Sequence, residues 1–293
     1  MKPPPFTYHA CRTIDEAVGV LDADPDGAKV LAGGQSLVPM LNLRLAAPDN
    51  LVDLNGIPGL DYVRAESGGV AVGASTRQYT VERSDELHSV LPVVREALSH
   101  VGHSQIRNRG TVVGSICHAD PAAEMPAVFL TVGGEITARS SAGTRKIRSE
   151  DFFESYLTTS LEPDEIATEV RFDAPTGRTG WYFEEVARRH GDFAILGVVA
   201  LISLDGDSVS RARITIFGGG STPLRMSATE QLITGASVGD IGGELLGRAA
   251  DEASAAVRPT DDIHASAEYR RHVAGVLTKR AITRSLERAG SSA

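Results

Sequence analysis

Lys29-Val30-Leu31-Ala32-Gly33-Gly34-Gln35-Ser36-Leu37 carries an apolar, strand-like run straight into a glycine pair. Two glycines let the backbone turn tightly and bring its amides close to an anion, and Ser36 adds a hydroxyl donor. Such a nest suits a pyrophosphate; the plainer reading is a turn after a strand. Upstream, Ile14 to Leu21 has apolar positions at helical spacing, with Thr13 placed to cap it and Asp15 and Glu16 in the first turn. Asp24-Pro25-Asp26-Gly27 then signals a turn. The order is helix, turn, strand, glycine loop. No G-x-G-x-x-G follows a strand and no glycine-lysine pair occurs, so neither a Rossmann fingerprint nor a P-loop is present.

Downstream, Leu51 to Leu54 and Gly69 to Ala74 read as strands, and Leu87 to Val101 as one helix with Pro92 near its start. The second informative stretch is Gln105-Ile106-Arg107-Asn108-Arg109-Gly110-Thr111-Val112-Val113-Gly114-Ser115-Ile116-Cys117-His118-Ala119-Asp120-Pro121-Ala122-Ala123-Glu124. Arg109 to Ser115 reads as a second glycine-bearing loop. Asp120 is placed to cap a helix starting at Pro121. Ser115, His118 and Asp120 lie close in sequence, but no G-x-S-x-G elbow accompanies them, so hydrolytic chemistry is not expected. From Pro126 the pattern is strand-like through Ser140, and a further strand is expected at 166–172. Ala174-Pro175-Thr176-Gly177 is a composition break, and the domain boundary is expected there. Beyond it come strands at 198–204 and 212–217, a Gly218-Gly219-Gly220 loop, and helical spacing at 228–233, 241–256 and 269–288. Strands followed by segregated helices make the class α+β.

Composition removes several functions. With 38 acidic and 29 basic residues the formal net charge is −9, and no run of five Lys or Arg exists to track a phosphate backbone. Nucleic acid is therefore not expected as a partner. The longest apolar run, Phe193 to Leu204, falls short of the ~20 residues that span a bilayer. No apolar segment comes after Met1-Lys2-Pro3-Pro4-Pro5, so a cytoplasmic location is expected. The two cysteines, Cys11 and Cys117, are too few for an iron-sulfur cluster held by this chain alone. His100 and His103 lack a partner at metal-ligand spacing and are expected to be surface or loop residues, with no metal.

Taken together, Ala32 to Pro39 and Gln105 to Glu124 resemble the two FAD-binding loops of the flavoprotein (medium) subunits of molybdenum hydroxylases, the group of carbon monoxide dehydrogenase and xanthine dehydrogenase. The similarity continues through Arg188-Arg189-His190-Gly191-Asp192-Phe193-Ala194, Thr222-Pro223-Leu224-Arg225, Tyr269-Arg270-Arg271-His272 and Arg280-Ala281, in order along nearly the whole chain.

The resemblance implies a vanillyl-alcohol-oxidase-type (PCMH-type) FAD-binding domain at 1–175, in subdomains of about 1–55 and 56–175, and a smaller α+β C-terminal domain at 176–293. It implies that Ala32, Gly33, Gly34, Gln35, Ser36 and Leu37 cradle the FAD pyrophosphate, and that Thr111, Val113, Gly114 and Ser115 approach from the other side. Glu124 stands where the family has an acidic FAD ligand, usually Asp; Asp120 is a further candidate for ribityl or ribose hydroxyls. Phe193 is expected beside the isoalloxazine and Ile166 as padding for it. Val113 replaces the first of two glycines usual in the second loop. Molybdopterin and 2Fe-2S clusters are implied in a large and a small partner subunit, the whole being a dimer of heterotrimers. The alternative is an autonomous FAD-dependent oxidase or dehydrogenase with no metal partners.

Overall fold

The computed structural model describes residues 2–291. Three short strands, β1 (Thr7–Ala10), β2 (Ala28–Leu31) and β3 (Asn50–Asp53), form a parallel sheet in the order β1-β3-β2. Parallel strands need crossovers, and α1 (Ile14–Ala23) and α2 (Leu37–Leu43) supply them. The Thr13 hydroxyl accepts the Glu16 amide at 3.1 Å, and α1 buries Ala17, Val18 and Leu21.

Strands β4 (Val63–Glu66), β5 (Gly69–Gly73), β6 (Gly134–Ser140) and β7 (Gly143–Arg148) belong to a second sheet. A hairpin of β8 (Phe153–Ser155) and β9 (Thr158–Thr159) precedes its central strand, β10 (Ile166–Asp173). This sheet is antiparallel in the order β4-β5-β10-β6-β7. Between β5 and β6 run α3 (Gln78–Glu82), α4 (Asp85–Val90), α5 (Pro92–His100), α6 (Ser104–Arg107), α7 (Val112–His118) and α8 (Glu124–Val132).

A third sheet, also antiparallel, keeps chain order: β11 (Arg178–Val186), β12 (Leu196–Asp205), β13 (Ser208–Phe217), β14 (Leu224–Arg225). Helices α9 (Ser227–Ile233), α10 (Gly243–Ala256) and α11 (Ala267–Ser291) complete its layer. Along β12 the period of two sorts the side chains between two cores. Leu196, Val198, Ala200 and Ile202 pack with the C-terminal helices, whereas Val199 and Leu201 join the core of the first two sheets. Both faces of β12 are thus buried, which is why it reads as an unbroken apolar run. Arg213 of β13 reaches across, donating to the Val132 carbonyl at 2.9 Å and to Glu150 at 2.5 Å.

Four local expectations are corrected. Residues 127–132 are helical, not extended: every residue of α8 from Glu124 to Val132 is buried, and a uniformly apolar segment carries no period to separate helix from strand. The helix does not start at Pro121; Asp120 Oδ1 accepts the Ala122 amide at 2.8 Å and closes a turn before it. Residues 87–101 form two helices, because Pro92 cannot donate to the ladder and opens α5 instead. The stretch from Arg109 to Ser115 is only partly a loop, since α7 begins at Val112 with Thr111 as its cap.

Candidate functional site

Strand β2 delivers the chain to Ala32 at the edge of a large cavity. Gly34 takes a φ of +74°, a left-handed conformation that glycine alone adopts freely. Gly33 is required by proximity. A Cβ there would lie 2.5 Å from the Arg109 carbonyl oxygen and 2.7 Å from the Gly110 Cα, so the two glycine-bearing segments touch backbone to backbone. The amides of Gly33, Gly34, Gln35 and Ser36 have no hydrogen-bond partner among the described residues. Four donors left open beside a cavity are what an anionic group requires.

The second segment is held by Thr111, whose hydroxyl accepts the Gly114 amide at 3.1 Å. A Cβ at Gly114 would stand 2.5 Å from that hydroxyl oxygen, so the cap fixes glycine at 114. Val113 does not disturb the arrangement. It lies inside α7, away from positive φ, and its side chain is buried in the core. Ala119 ends α7 at a φ of +52° and turns Asp120 into the cavity.

These segments enclose about 790 Å³, within the range of small-molecule and cofactor sites. The cavity is lined by Ala32, Gly33, Gly34, Gln35, Ser36 and Leu37 on one side and by Thr111, Val113, Gly114 and Ser115 on the other, with Asp120 and Glu124 between. A smaller hollow of about 480 Å³ shares the Gly33-Gly34 wall and runs toward Tyr8, Asp53 and Arg109. Phe193 is 68% exposed and stands at the large cavity. It is placed there by Gly191, at φ +85°, whose backbone packs so tightly on the turn at Gly102 that a Cβ would lie 2.8 Å from the Gly102 carbonyl. Ile166 is the exception: its side chain is 1% exposed and belongs to the core, and its neighbours Glu165 and Ala167 face the cavity.

Glu124 is 7% exposed, and burial, reinforced by Glu185 of β11, pushes its carboxyl up to about 8. His100 at the end of α5 pairs with Glu185 through Nδ1 at 3.4 Å, and that contact raises the imidazole. The imidazole packs on Phe183 with ring centroids 5.0 Å apart. The expectation of a surface or loop histidine at 100 is therefore corrected, its partner lying 85 residues away on another sheet. Burial pushes the Cys117 thiol up to about 12, so it offers no reactive thiolate. Ser115 and His118 share α7, and no hydrogen bond among the described residues joins either to Asp120. Sequence reasoning also missed Gly102, Leu161, Glu162 and Asp192 on the cavity wall. Only Asp192 stood within a recognisable motif, and the others carry no local signal.

Residues 4–175 match the FAD binding domain in molybdopterin dehydrogenase, and residues 181–285 match the CO dehydrogenase flavoprotein C-terminal domain. The chain is 39% identical over 290 residues to the 6-hydroxypseudooxynicotine dehydrogenase complex subunit alpha of Paenarthrobacter nicotinovorans, covering 99% of this chain and 97% of the relative. In structure it resembles carbon monoxide dehydrogenase from Hydrogenophaga pseudoflava lacking the Mo-pyranopterin moiety of its cofactor. The TM-score is 0.94 at 36% identity, covering 98% of this chain and 99% of the other. Quinoline 2-oxidoreductase from Pseudomonas putida 86 gives a TM-score of 0.92 at 34% identity over 99% of both chains. With both of its parts matched in order, this chain belongs to the FAD-binding flavoprotein (medium) subunits of the molybdenum hydroxylases.

Proposed function

We propose that this chain is the FAD-holding electron-transfer subunit of a molybdenum-containing hydroxylase or dehydrogenase, with Ala32 to Leu37, Thr111 to Ser115, Asp120, Glu124 and Phe193 as its FAD site. The observation that carries the reading is the convergence of two glycine-bearing segments on one cavity, with the amides of Gly33 to Ser36 open. FAD fits this donor set: neutral amides meet a pyrophosphate without the cost of burying fixed cations, and the cavity is large enough for an extended dinucleotide.

When bound, FAD supplies storage for two electrons that arrive singly and leave together. The chain's own residues hold and shield it. Gly33 and Gly34 keep the wall close, Thr111 fixes the amides of the second segment, and Phe193 offers an aromatic face at the opening. Electrons come from 2Fe-2S clusters in a small subunit, fed by a molybdopterin-bearing large subunit that oxidises the organic substrate. The assembly is a dimer of such heterotrimers in the cytoplasm. Among the described residues no helix is long and apolar enough to cross a membrane. The chain divides into an FAD domain at 1–175, itself split near residue 55, and a C-terminal domain at 176–293; the sheets containing β3, β10 and β11 lie in these three parts.

The test is the flavin, iron and molybdenum content of the complex captured through a tag on this chain. FAD with both metals and two further chains supports the electron-transfer role. FAD with neither metal, and turnover of an organic donor by this chain alone, overturns it in favour of an autonomous flavoenzyme.

A further inference from the structure

Two largely buried carboxyl groups lie within electrostatic reach of each other where the C-terminal sheet packs against α5 and α8, and one imidazole stands with them. The Glu185 side chain is 3% exposed, and its Oε2 has no hydrogen-bond partner among the described residues; its Oε1 lies 3.4 Å from His100 Nδ1. Glu124, from α8, is 7% exposed and opens onto the cavity. The groups acting on Glu124 are Glu185, His100 and Asp120; those acting on His100 are Glu185, Glu96 and Glu124, with the His190 ring 5.9 Å away. One imidazolium balances one buried carboxylate, and a second buried negative charge without a partner is strongly disfavoured. Of two nearby carboxyls sharing one cation, the buried one that lacks the cation is the one driven to keep its proton.

We propose that Glu124 meets bound FAD as a neutral carboxylic acid, with Glu185 and His100 as the positioning residues that keep it so by holding the single ion pair themselves. The assignment rests on the FAD-site reading and adds the protonation state of one of the site's walls. Glu185 is the member in contact with the cation, so the charge resides there. Glu124 is the member facing the cavity, so its proton sits where a ligand meets it. A neutral carboxyl offers one O–H donor as well as an acceptor, whereas an ionised one offers acceptors only. FAD brings its own negative pyrophosphate, so an ionised Glu124 would repel the cofactor in a site of low dielectric. Burial raises Glu124 to about 8, the direction the charge count requires.

The experiment is the FAD dissociation constant of the full chain, read by quenching of flavin fluorescence between pH 6 and 9.5. It is run for the wild type, Glu124→Gln and Glu185→Gln. Glu124→Gln keeps a neutral donor of the same shape; Glu185→Gln removes the neighbouring negative charge and leaves His100 to pair with Glu124. In the wild type, affinity is expected to hold below pH 8 and to fall above it, approaching tenfold per pH unit. Glu124→Gln should lose the fall, its affinity being the same at pH 7 and 9.5. Glu185→Gln should move the fall to lower pH. A wild type that binds equally at pH 7 and 9.5, or a Glu124→Gln chain that keeps the fall, overturns the proton assignment while leaving the FAD site standing. A wild type that takes up no FAD at any pH overturns the site itself.

Discussion

Gly33→Ala is the smallest change that tests whether the two glycine-bearing segments form one cradle. The added methyl would stand 2.5 Å from the Arg109 carbonyl oxygen, 2.7 Å from the Gly110 Cα and 3.0 Å from the Thr111 nitrogen. Comfortable separations between carbon atoms are about 3.5–4.0 Å, so the segments must part by roughly 1 Å. All three neighbours are backbone, and no side chain can rotate away. Overpacking of this kind costs about 1–3 kcal/mol. At 1.36 kcal/mol per decade, a cost borne wholly by the loaded state weakens FAD binding about 5- to 160-fold. The part relieved before binding appears instead as a lower melting temperature of the apo chain. The assay pairs a fluorescence titration with FAD and a thermal melt. Gly220→Ala is the control, because its Cβ would meet nothing within 4 Å. A Gly33→Ala chain with wild-type affinity and an unchanged melt would refute the contact and the cradle built on it.

Phe193→Ala should leave FAD bound, because the amides of the two segments are untouched. It should alter the flavin spectrum or its reoxidation by oxygen; identical values for both would remove Phe193 from the ring. Phe129, fully buried against Phe152, Phe153 and Phe172 with ring centroids 5.9–6.3 Å apart, should cost about 3–5 kcal/mol when cut to Ala. Denaturant unfolding of the apo chain measures this, and a loss below about 1 kcal/mol would contradict the packing. Asp262 accepts the Ala265 and His264 amides and pairs with Arg270, which holds its carboxyl down at about 2. A depressed folded value gives stability that is present above the unfolded value near 4 and is lost as pH falls through about 2. Asp262→Asn should therefore flatten the acid limb of the melting profile, and an acid limb parallel to wild type would exclude that linkage.

Elements with a strong local signal were legible in the sequence. Thr13 and its first-turn acids placed α1, short apolar stretches beside turn residues placed β3 and β5, the strand expected at 166–172 is β10, and the run at 198–204 placed β12. The failures share one physical cause, which is a segment whose conformation is decided by its surroundings. α8 is buried on every face because it is wedged between the second sheet and β12 and β13, and full burial erases the period that distinguishes a helix. The turn at Asp120 resembled a helix cap because an Asx turn and an N-cap use the same side-chain acceptor and differ only in whether the next residues continue into a helix. Val113 read as a departure from a glycine pattern, yet its position is helical and has room for a β-branched side chain in the core.

The candidate site divides along the same line. Its two glycine-bearing segments carry local signals, since the glycine pair after β2 and the Ser36 and Thr111 hydroxyls lie within short stretches and could be read there, whereas the contact that demands glycine at 33 is made with Arg109 and Gly110 of the other segment. The electrostatics of the site are assembled from three distant parts of the chain. Glu124 resembles any acid in the first turn of a helix, where charge is ordinarily favourable. Only the folded chain brings Glu185 and His100 within electrostatic reach of it and buries it. The C-terminal sheet thus contributes to the site itself. It presents Phe193 to the opening through the Gly191 turn and, through Glu185, governs the protonation of a residue carried by the other domain. A substitution on β11 can therefore change how FAD is held without touching the cavity, and the shift in pH dependence expected of Glu185→Gln separates that effect from a general loosening of the interface.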